Sequence, residues 1–288
     1  MANLKEIRNR ITSIKSTMQI TSAMKMVSAA KLKKAQDAIT AMRPYSSKLT
    51  ELLQNLSATL DSDAGGVYST QREVSKVLLV VVTSNRGLCG GFNSSITKEV
   101  IKTVNEKYSK VEVDLFAIGK KGGDVLSKQF NILDSRNDIF DDLTFDNVAA
   151  IADKLMSLFA EGTYDKIEVL YNQFKNAATQ IPQVEQFLPI KPIEGGDESA
   201  VNSDYIFEPS KEEIVEALIP KSLKTQLYKA IRDSFASEHG ARMTAMHKAT
   251  DNATELRDEL LLTYNKARQA AITNEILEIV GGAEALNN

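Results

Sequence analysis

Glycine and proline are almost missing from both ends of this 288-residue chain, and that gap restricts its fold more than any other feature. Residues 1–64 hold no glycine and one proline, Pro44. Without helix breakers such a stretch can run as one helix, and its apolar residues are spaced for one. From Leu4, the residues Ile7, Ile11, Ile14 and Met18 follow at steps of three and four, then Thr21, Lys25 and Ser28, then Leu32, Ala35, Ile39 and Met42. This is the seam of a coiled coil with a polar middle. Around that middle the apolar residues move one place back, to Ile20, Met24 and Val27, so the apolar stripe is expected to rotate there and the helix to touch different surfaces along its length. Pro44 is expected to kink or break it, with Leu49, Leu53, Leu56 and Leu60 resuming the register.

The other end has the same character. Between Pro220 and Val280 the one glycine is Gly240, and Met246, Ala249, Ala253, Leu256, Leu260, Tyr264, Ala267 and Ala271 again step by three and four. Sixty helical residues reach about 90 Å, more than a compact domain of this length can enclose. Two such helices pair most simply with each other, antiparallel, and the alanines of the second seam allow close approach. The alternative is that each packs on an unrelated partner. Gly240, at about 1 kcal/mol relative to alanine, is a candidate compliant point.

Between the helical ends the pattern changes to α/β. VSKVLLVVV reads as a buried parallel strand, SITKEVIKTVNEKY as a helix and VEVDLFAIG as a strand. DNVAAIADKLMSLFAEG reads as a helix, YDKIEVLYNQF as a strand, and the Pro-marked QIPQVEQFLPI as an edge strand. KPIEGGDESAVNSD reads as a surface loop. The expected class is therefore α/β: a long antiparallel coiled coil of the N- and C-terminal helices plus a central Rossmann-like open sheet. The expected segments are 1–64, 74–209 and 210–288.

The first strand runs into TSNRGLCGGFN, a glycine turn before a helix, which is the setting of a phosphate loop. The chemistry does not follow. Gly90 and Gly91 precede Phe92 and Asn93 where a Walker loop needs Lys and Ser or Thr, and GxGxxG fails after Gly87. AIGKKGGD has its lysines in the wrong order. A structural or docking role is expected instead, with Arg86 and a partly exposed Cys89 available for contacts. His239 and His247 lie two helical turns apart, too far to share a metal, and adjacent acids such as Asp141 and Asp142 do not face each other. No nucleophile has a base beside it, so the chain is expected to be non-catalytic and without a cofactor.

Residues 1–50 carry ten Lys or Arg and two acids, a +8 segment inside a chain of net charge -3. Such a stretch suits an acidic protein surface, nucleic acid or anionic lipid; no zinc-finger, RNP or helix-turn-helix signal favours nucleic acid. One cysteine excludes an internal disulfide and fits a reducing compartment. The longest apolar run, Val77 to Val82, is far short of a membrane span, and the N-terminus enters a helical pattern with no apolar signal region.

Three stretches, in order, resemble one family: KEIRNRITSIKSTMQITSAMKMVSAAKLKKAQ, NRGLCGGFN, and ARMTAMHKATDNA with YNKARQAAITNEILEIVGGAEAL. They are similar to the gamma subunit of F-type ATP synthases of bacterial type, and the resemblance covers essentially the whole chain. Asn85 departs from it, standing where aspartate is common in the loop. The paired regulatory cysteines of the plant type are absent.

The resemblance implies a central rotor shaft that couples ion flow to conformational change in the beta subunits. The terminal helices would wind together inside a ring of three alpha and three beta subunits, which do the chemistry of ATP synthesis and hydrolysis. The α/β domain would form a foot on the membrane-embedded c-ring beside the epsilon subunit. The implied location is peripheral, at the cytoplasmic face of the bacterial inner membrane. Matching motif to motif, the implied ring contacts are Met24, Lys25, Arg242, Arg268, Gln269, Thr273 and Glu275, with Tyr205 facing the membrane ring.

Overall fold

A computed structural model describes residues 4–57, 66–190 and 211–287. Five helices and five strands occur among them. In chain order they are α1 (Leu4–Ser57), β1 (Lys76–Val82), α2 (Phe92–Lys107), β2 (Glu112–Ile118), α3 (Lys120–Leu126), β3 (Asn131–Arg136), α4 (Phe145–Ala160), β4 (Lys166–Phe174), β5 (Gln180–Leu188) and α5 (Lys211–Asn287). Two compact units result, one from Ala29 to Arg242, the other from the residues up to Ser28 together with those from Met243 onward.

In the first unit the strands lie in the order β3-β2-β1-β4-β5. The pairs β1–β2, β1–β4 and β2–β3 are parallel, and β5 runs antiparallel to β4. β1 is central and Val77 to Val82 are all buried, which explains why it reads as an unbroken apolar run rather than an alternation. Its odd residues Val77, Leu79 and Val81 pack with Ile96 and Val100 of α2 and Leu126 of α3. Its even residues Leu78, Val80 and Val82 join Val148, Ile151 and Leu155 of α4 and Ile219, Leu223 and Leu227 of α5. Thr144 caps α4 by accepting the Asn147 N–H, so this helix starts where its apolar stripe does.

Two elements have no counterpart in the sequence reading. β3 is an edge strand with little burial, and its pattern of mixed polar residues carries no period-2 signal. α3 spans seven residues that include Gly122 and Gly123; tertiary hydrogen bonds, not propensity, hold it. Pro44 also departs from expectation, because α1 runs unbroken through it to Ser57. A proline removes one backbone donor, and a long helix with Ile39 and Leu49 buried on either side absorbs that loss. The side chains of Leu53 and Leu56, and residues Leu60 and 191–204, lie outside the described residues.

The second unit is the antiparallel pair itself. Arg8 Nη2 donates to the Tyr264 hydroxyl at 2.7 Å, the Thr21 and Thr250 hydroxyls meet at 2.7 Å, and Lys25 Nζ lies 3.2 Å from His247 Nδ1. Advancing along α1 retreats along α5 residue for residue, so the register is fixed at three heights. Ile7, Ile11, Thr21 and Ser28 are buried at the expected seam positions. The seam therefore does not rotate at its polar middle: it keeps its register with hydroxyls inside, and the displaced apolar residues Ile20 and Val27 stand 60% and 58% exposed. On α5, Thr250 makes the cross-helix bond, Leu256 is exposed, and the side chain of Arg257 is half-buried beside it. A guanidinium on a long stem covers a seam while its head reaches water.

Candidate functional site

In the helical pair, the residues carried over by resemblance fall into two groups. Met24 and Lys25 are half-buried. Lys25 Nζ lies 3.2 Å from His247 Nδ1, and the same ring nitrogen lies 3.5 Å from Asp251 Oδ2, so a cation, an imidazole and a carboxylate meet at this height. Beside it Ile20, Met26 and Val27 expose apolar surface.

Arg268, Gln269, Thr273 and Glu275 form the second group. The observed register sets Leu4 opposite about residue 268, and every described residue from Arg268 to Ala283 is exposed. At 3.6 residues per turn, Arg268, Ile272, Glu275 and Ile279 share one line of the helix, and Gln269, Thr273, Ile276 and Val280 the next. Thr273 returns its hydroxyl to the Gln269 carbonyl at 2.9 Å. The first line alternates polar and large apolar groups and the second passes from Gln269 and Thr273 to Ile276 and Val280; among the described residues nothing covers the apolar ones, Ile279 being 67% exposed.

In the sheet unit, the glycine loop leaves β1 at the point where strand connections turn in opposite directions, toward β2 and toward β4. Open α/β sheets hold their ligands outside the strand ends at such a point. Here the first amides of α3, at the same strand ends, are engaged within the chain. They donate to Asn85 Oδ1 (from Lys120, 3.1 Å), to the Ser84 carbonyl (from Lys121, 3.0 Å) and to Thr83 Oγ1 (from Gly122, 2.9 Å). Asn85 also donates through Nδ2 to the Asn137 carbonyl at 2.6 Å, tying the ends of β1, β2 and β3 together.

α5 supplies the rest. Arg242 donates from Nη2 to the carbonyls of Arg86 at 3.0 Å and Gly87 at 3.3 Å, and from Nη1 to Glu238 Oε1 at 2.7 Å. Ala241 packs with Cys89 and Phe92. Gly240 passes so near the chain after β4 that a Cβ there would lie 3.1 Å from Ala177 Cα; this glycine answers a close approach, which is a packing reason for its presence in a long helix.

The loop presents a different residue from the one expected. Cys89 is 2% exposed, not partly exposed, and burial pushes its thiol pKa up. The neighbouring Leu88 is 65% exposed with φ +61°. A left-handed backbone between Gly87 and Gly90 turns the apolar leucine outward and the cysteine in, where Asn93 Nδ2 donates to its sulfur at 3.2 Å.

Arg242 is likewise buried rather than turned outward. Around it the structure collects Glu238, which the sequence did not single out, and His239, which it considered only as a metal ligand. Burial raises the Glu238 pKa, only partly offset by Arg242, Lys31 and Arg86. His239 Nδ1 lies 3.4 Å from Arg242 Nη1. Burial first, then the charges of Arg242 and Lys31, push the His239 pKa down to about 3. Glu238 and Arg242 at i,i+4 were a visible signal; their burial was not. Tyr205 lies outside the described residues.

Comparison with known proteins matches residues 3–286 to the family model described as ATP synthase. The ATP synthase gamma chain of Flavobacterium johnsoniae is 76% identical over 287 residues, covering 100% of each chain. That of Flavobacterium psychrophilum is 75% identical over 286 residues and 99% of each. Among solved structures, a chain from the central stalk and c-ring of the Tetrahymena thermophila mitochondrial ATP synthase superposes with a TM-score of 0.61 at 28% identity, over 80% of this chain and 99% of that one.

Proposed function

From the premise that the chain belongs to the ATP synthase gamma-chain family, we propose that it is the central rotor shaft of a bacterial F-type ATP synthase, coupling ion flow through a membrane ring to conformational change at catalytic sites on other subunits. The observation that carries this reading is the uncovered apolar surface of the helical pair. Ile20 and Val27 stand outside a seam that is polar beneath them, and Ile272, Ile276 and Ile279 project from a helix end with no described partner. Large apolar side chains repeated along a helix with no intramolecular cover mark a surface made for a partner.

The partner that fits is a sleeve of alpha and beta subunits, three of each, with acidic groups facing the basic α1. Met24 and Lys25 meet it at one height, and Arg268, Gln269, Thr273 and Glu275 at another. Arg242 serves from within by fixing the glycine loop. The epsilon subunit and the c-ring would bind the sheet unit, Tyr205 among the residues facing the ring. No described helix is long and apolar enough to cross a membrane, in keeping with a peripheral place, which we assign to the cytoplasmic face.

A shaft of this kind does no chemistry itself. It acts because its contacts differ between the open and closed states of each beta subunit. Driving such an equilibrium from 1:99 to 99:1 takes about 5.5 kcal/mol, whereas one exposed ion pair supplies about 1 kcal/mol or less. Apolar and polar contacts at both heights must therefore act together, and an asymmetric pair of helices presents a different set to each subunit around it. Mixing the full chain with alpha and beta subunits of a relative tests the reading. One copy joining a three-plus-three ring and raising cooperative ATP hydrolysis is expected; a ring that forms and turns over equally well without it overturns the proposal.

A further inference from the structure

Glu238 and Arg242 are both buried, one helical turn apart on α5, and the carboxylate takes Nη1 of the guanidinium at 2.7 Å. The guanidinium is a rigid fork. With Nη1 held, its other edge faces the glycine loop, where Nη2 reaches the Arg86 and Gly87 carbonyls and Nε lies 3.4 Å from the Gly87 carbonyl. Among the described residues no other anion is paired with Arg242, and the His239 ring places Nδ1 3.4 Å from Nη1. Glu238 supplies the counter-charge of this buried cation; without it the guanidinium would be held only by neutral partners, the two loop carbonyls among them.

The loop is firm on its own side. Ser84 Oγ donates to the Arg86 carbonyl at 2.7 Å, and the Ser84 N–H donates to Asn93 Oδ1 at 3.0 Å, joining the end of β1 to the start of α2. Gly87, whose carbonyl Arg242 takes, immediately precedes Leu88, the exposed left-handed residue. The Arg242 contacts thus tie α5 to the loop's tip through hydrogen bonds from a charged group.

We propose that Glu238 is a positioning residue for rotary coupling: by orienting Arg242 it locks the glycine loop to the stretch of α5 that carries both residues, so that the loop's outward leucine moves with that stretch. The inference rests on the rotor reading above, and its test separates the two.

Cys89 is the chain's single cysteine and is buried within the loop, which makes its rate of maleimide labelling a reporter of loop opening. In the assembled, membrane-bound complex, Glu238→Ala is expected to raise that rate about tenfold, the scale of one charged hydrogen bond, and to lower proton pumping per ATP hydrolysed while hydrolysis continues. Arg242→Lys, which lacks the planar fork that reaches Glu238 on one edge and the loop carbonyls on the other, is expected to do the same. The double variant Glu238→Met/Arg242→Met removes the buried charges without leaving one unpaired, and so restores the melting temperature without restoring the tie. Fast labelling and weak pumping in this stable double variant support positioning. Native labelling or native pumping in it overturns the proposal, because the pair then serves the fold alone. Failure of the rotor reading shows separately, as a parent complex that hydrolyses ATP with no dependence on the chain.

Discussion

The hydroxyls of Thr21 and Thr250 lie 2.7 Å apart across the antiparallel helices, and each is also within hydrogen-bond distance of a carbonyl one turn back on its own helix, Thr17 for the first and Met246 for the second. Each hydroxyl has one proton, so the two form a relay in which one donates across the pair and the other donates to its own backbone. This relay lets the seam stay buried through its polar middle.

Replacing one partner leaves the other with a backbone bond still available, so Thr21→Val should cost only about 1 kcal/mol. Thr21→Val/Thr250→Val should recover most of that, since two apolar groups of the same shape then face each other. A double-mutant cycle by urea unfolding measures the coupling.

Ile20→Ser and Val27→Ser should leave the stability of the isolated chain within about 0.5 kcal/mol, because both side chains are already largely exposed. In assembly with alpha and beta subunits each should weaken binding about tenfold, the value of burying part of a large aliphatic side chain. Titration of the labelled chain into the ring measures this; unchanged binding would leave the uncovered stripe without a role.

Gly240→Ala places a methyl 3.1 Å from Ala177 Cα and 3.3 Å from its carbonyl oxygen. Alanine gains about 1 kcal/mol of helix propensity, but forcing an atom against backbone costs about 1–3 kcal/mol. Net destabilisation is expected, read as a lower denaturant midpoint. A raised midpoint would show that the hairpin after β4 yields freely.

His239 has a pKa of about 3 when folded against an ordinary 6.5. The folded state then binds fewer protons than the unfolded state, so its stability is full above about pH 6.5 and declines as pH falls toward 3, by up to about 1.4 kcal/mol per pH unit. Glu238, whose pKa is raised, works in the opposite direction. Comparing His239→Gln with the parent isolates the histidine: the variant's acid limb should be flatter between about pH 6 and 4.

Asn85→Asp, the residue that the family resemblance leads one to expect there, keeps the acceptor for the Lys120 N–H but loses the donor to the Asn137 carbonyl. Two oxygens facing each other should cost about 1–3 kcal/mol, unless β3 shifts. Amide exchange at the ends of β2 and β3 would show the loosening.

The parts of the fold that were legible in the sequence are those with strong periodicity. The steps from Ile7 to Ile39 on α1 and the unbroken run from Val77 to Val82 announce a seam and a buried strand, because a helix repeats its face every 3.6 residues and a doubly covered strand needs no alternation. β3 was illegible because an edge strand with so little burial has no pattern to impose. Arg242 could be picked out by resemblance, but not its orientation: its partners Arg86 and Gly87 are 156 and 155 residues away in the chain. Cys89, expected to be partly exposed, is buried while Leu88 points out, an outcome of left-handed backbone at Leu88 and Gly90 that composition does not encode.

By itself, then, the order of residues determined two breaker-poor helices with matching seams, a parallel-type core between them, and membership of a family, since each depends on local spacing and residue type. The tertiary structure decided which face of each helix is covered, which loop residue points out, and where the charges of Glu238, His239 and Arg242 are held. Those outcomes depend on desolvation and on hydrogen-bond partners brought together from distant parts of the chain, and neither quantity exists until the chain has folded.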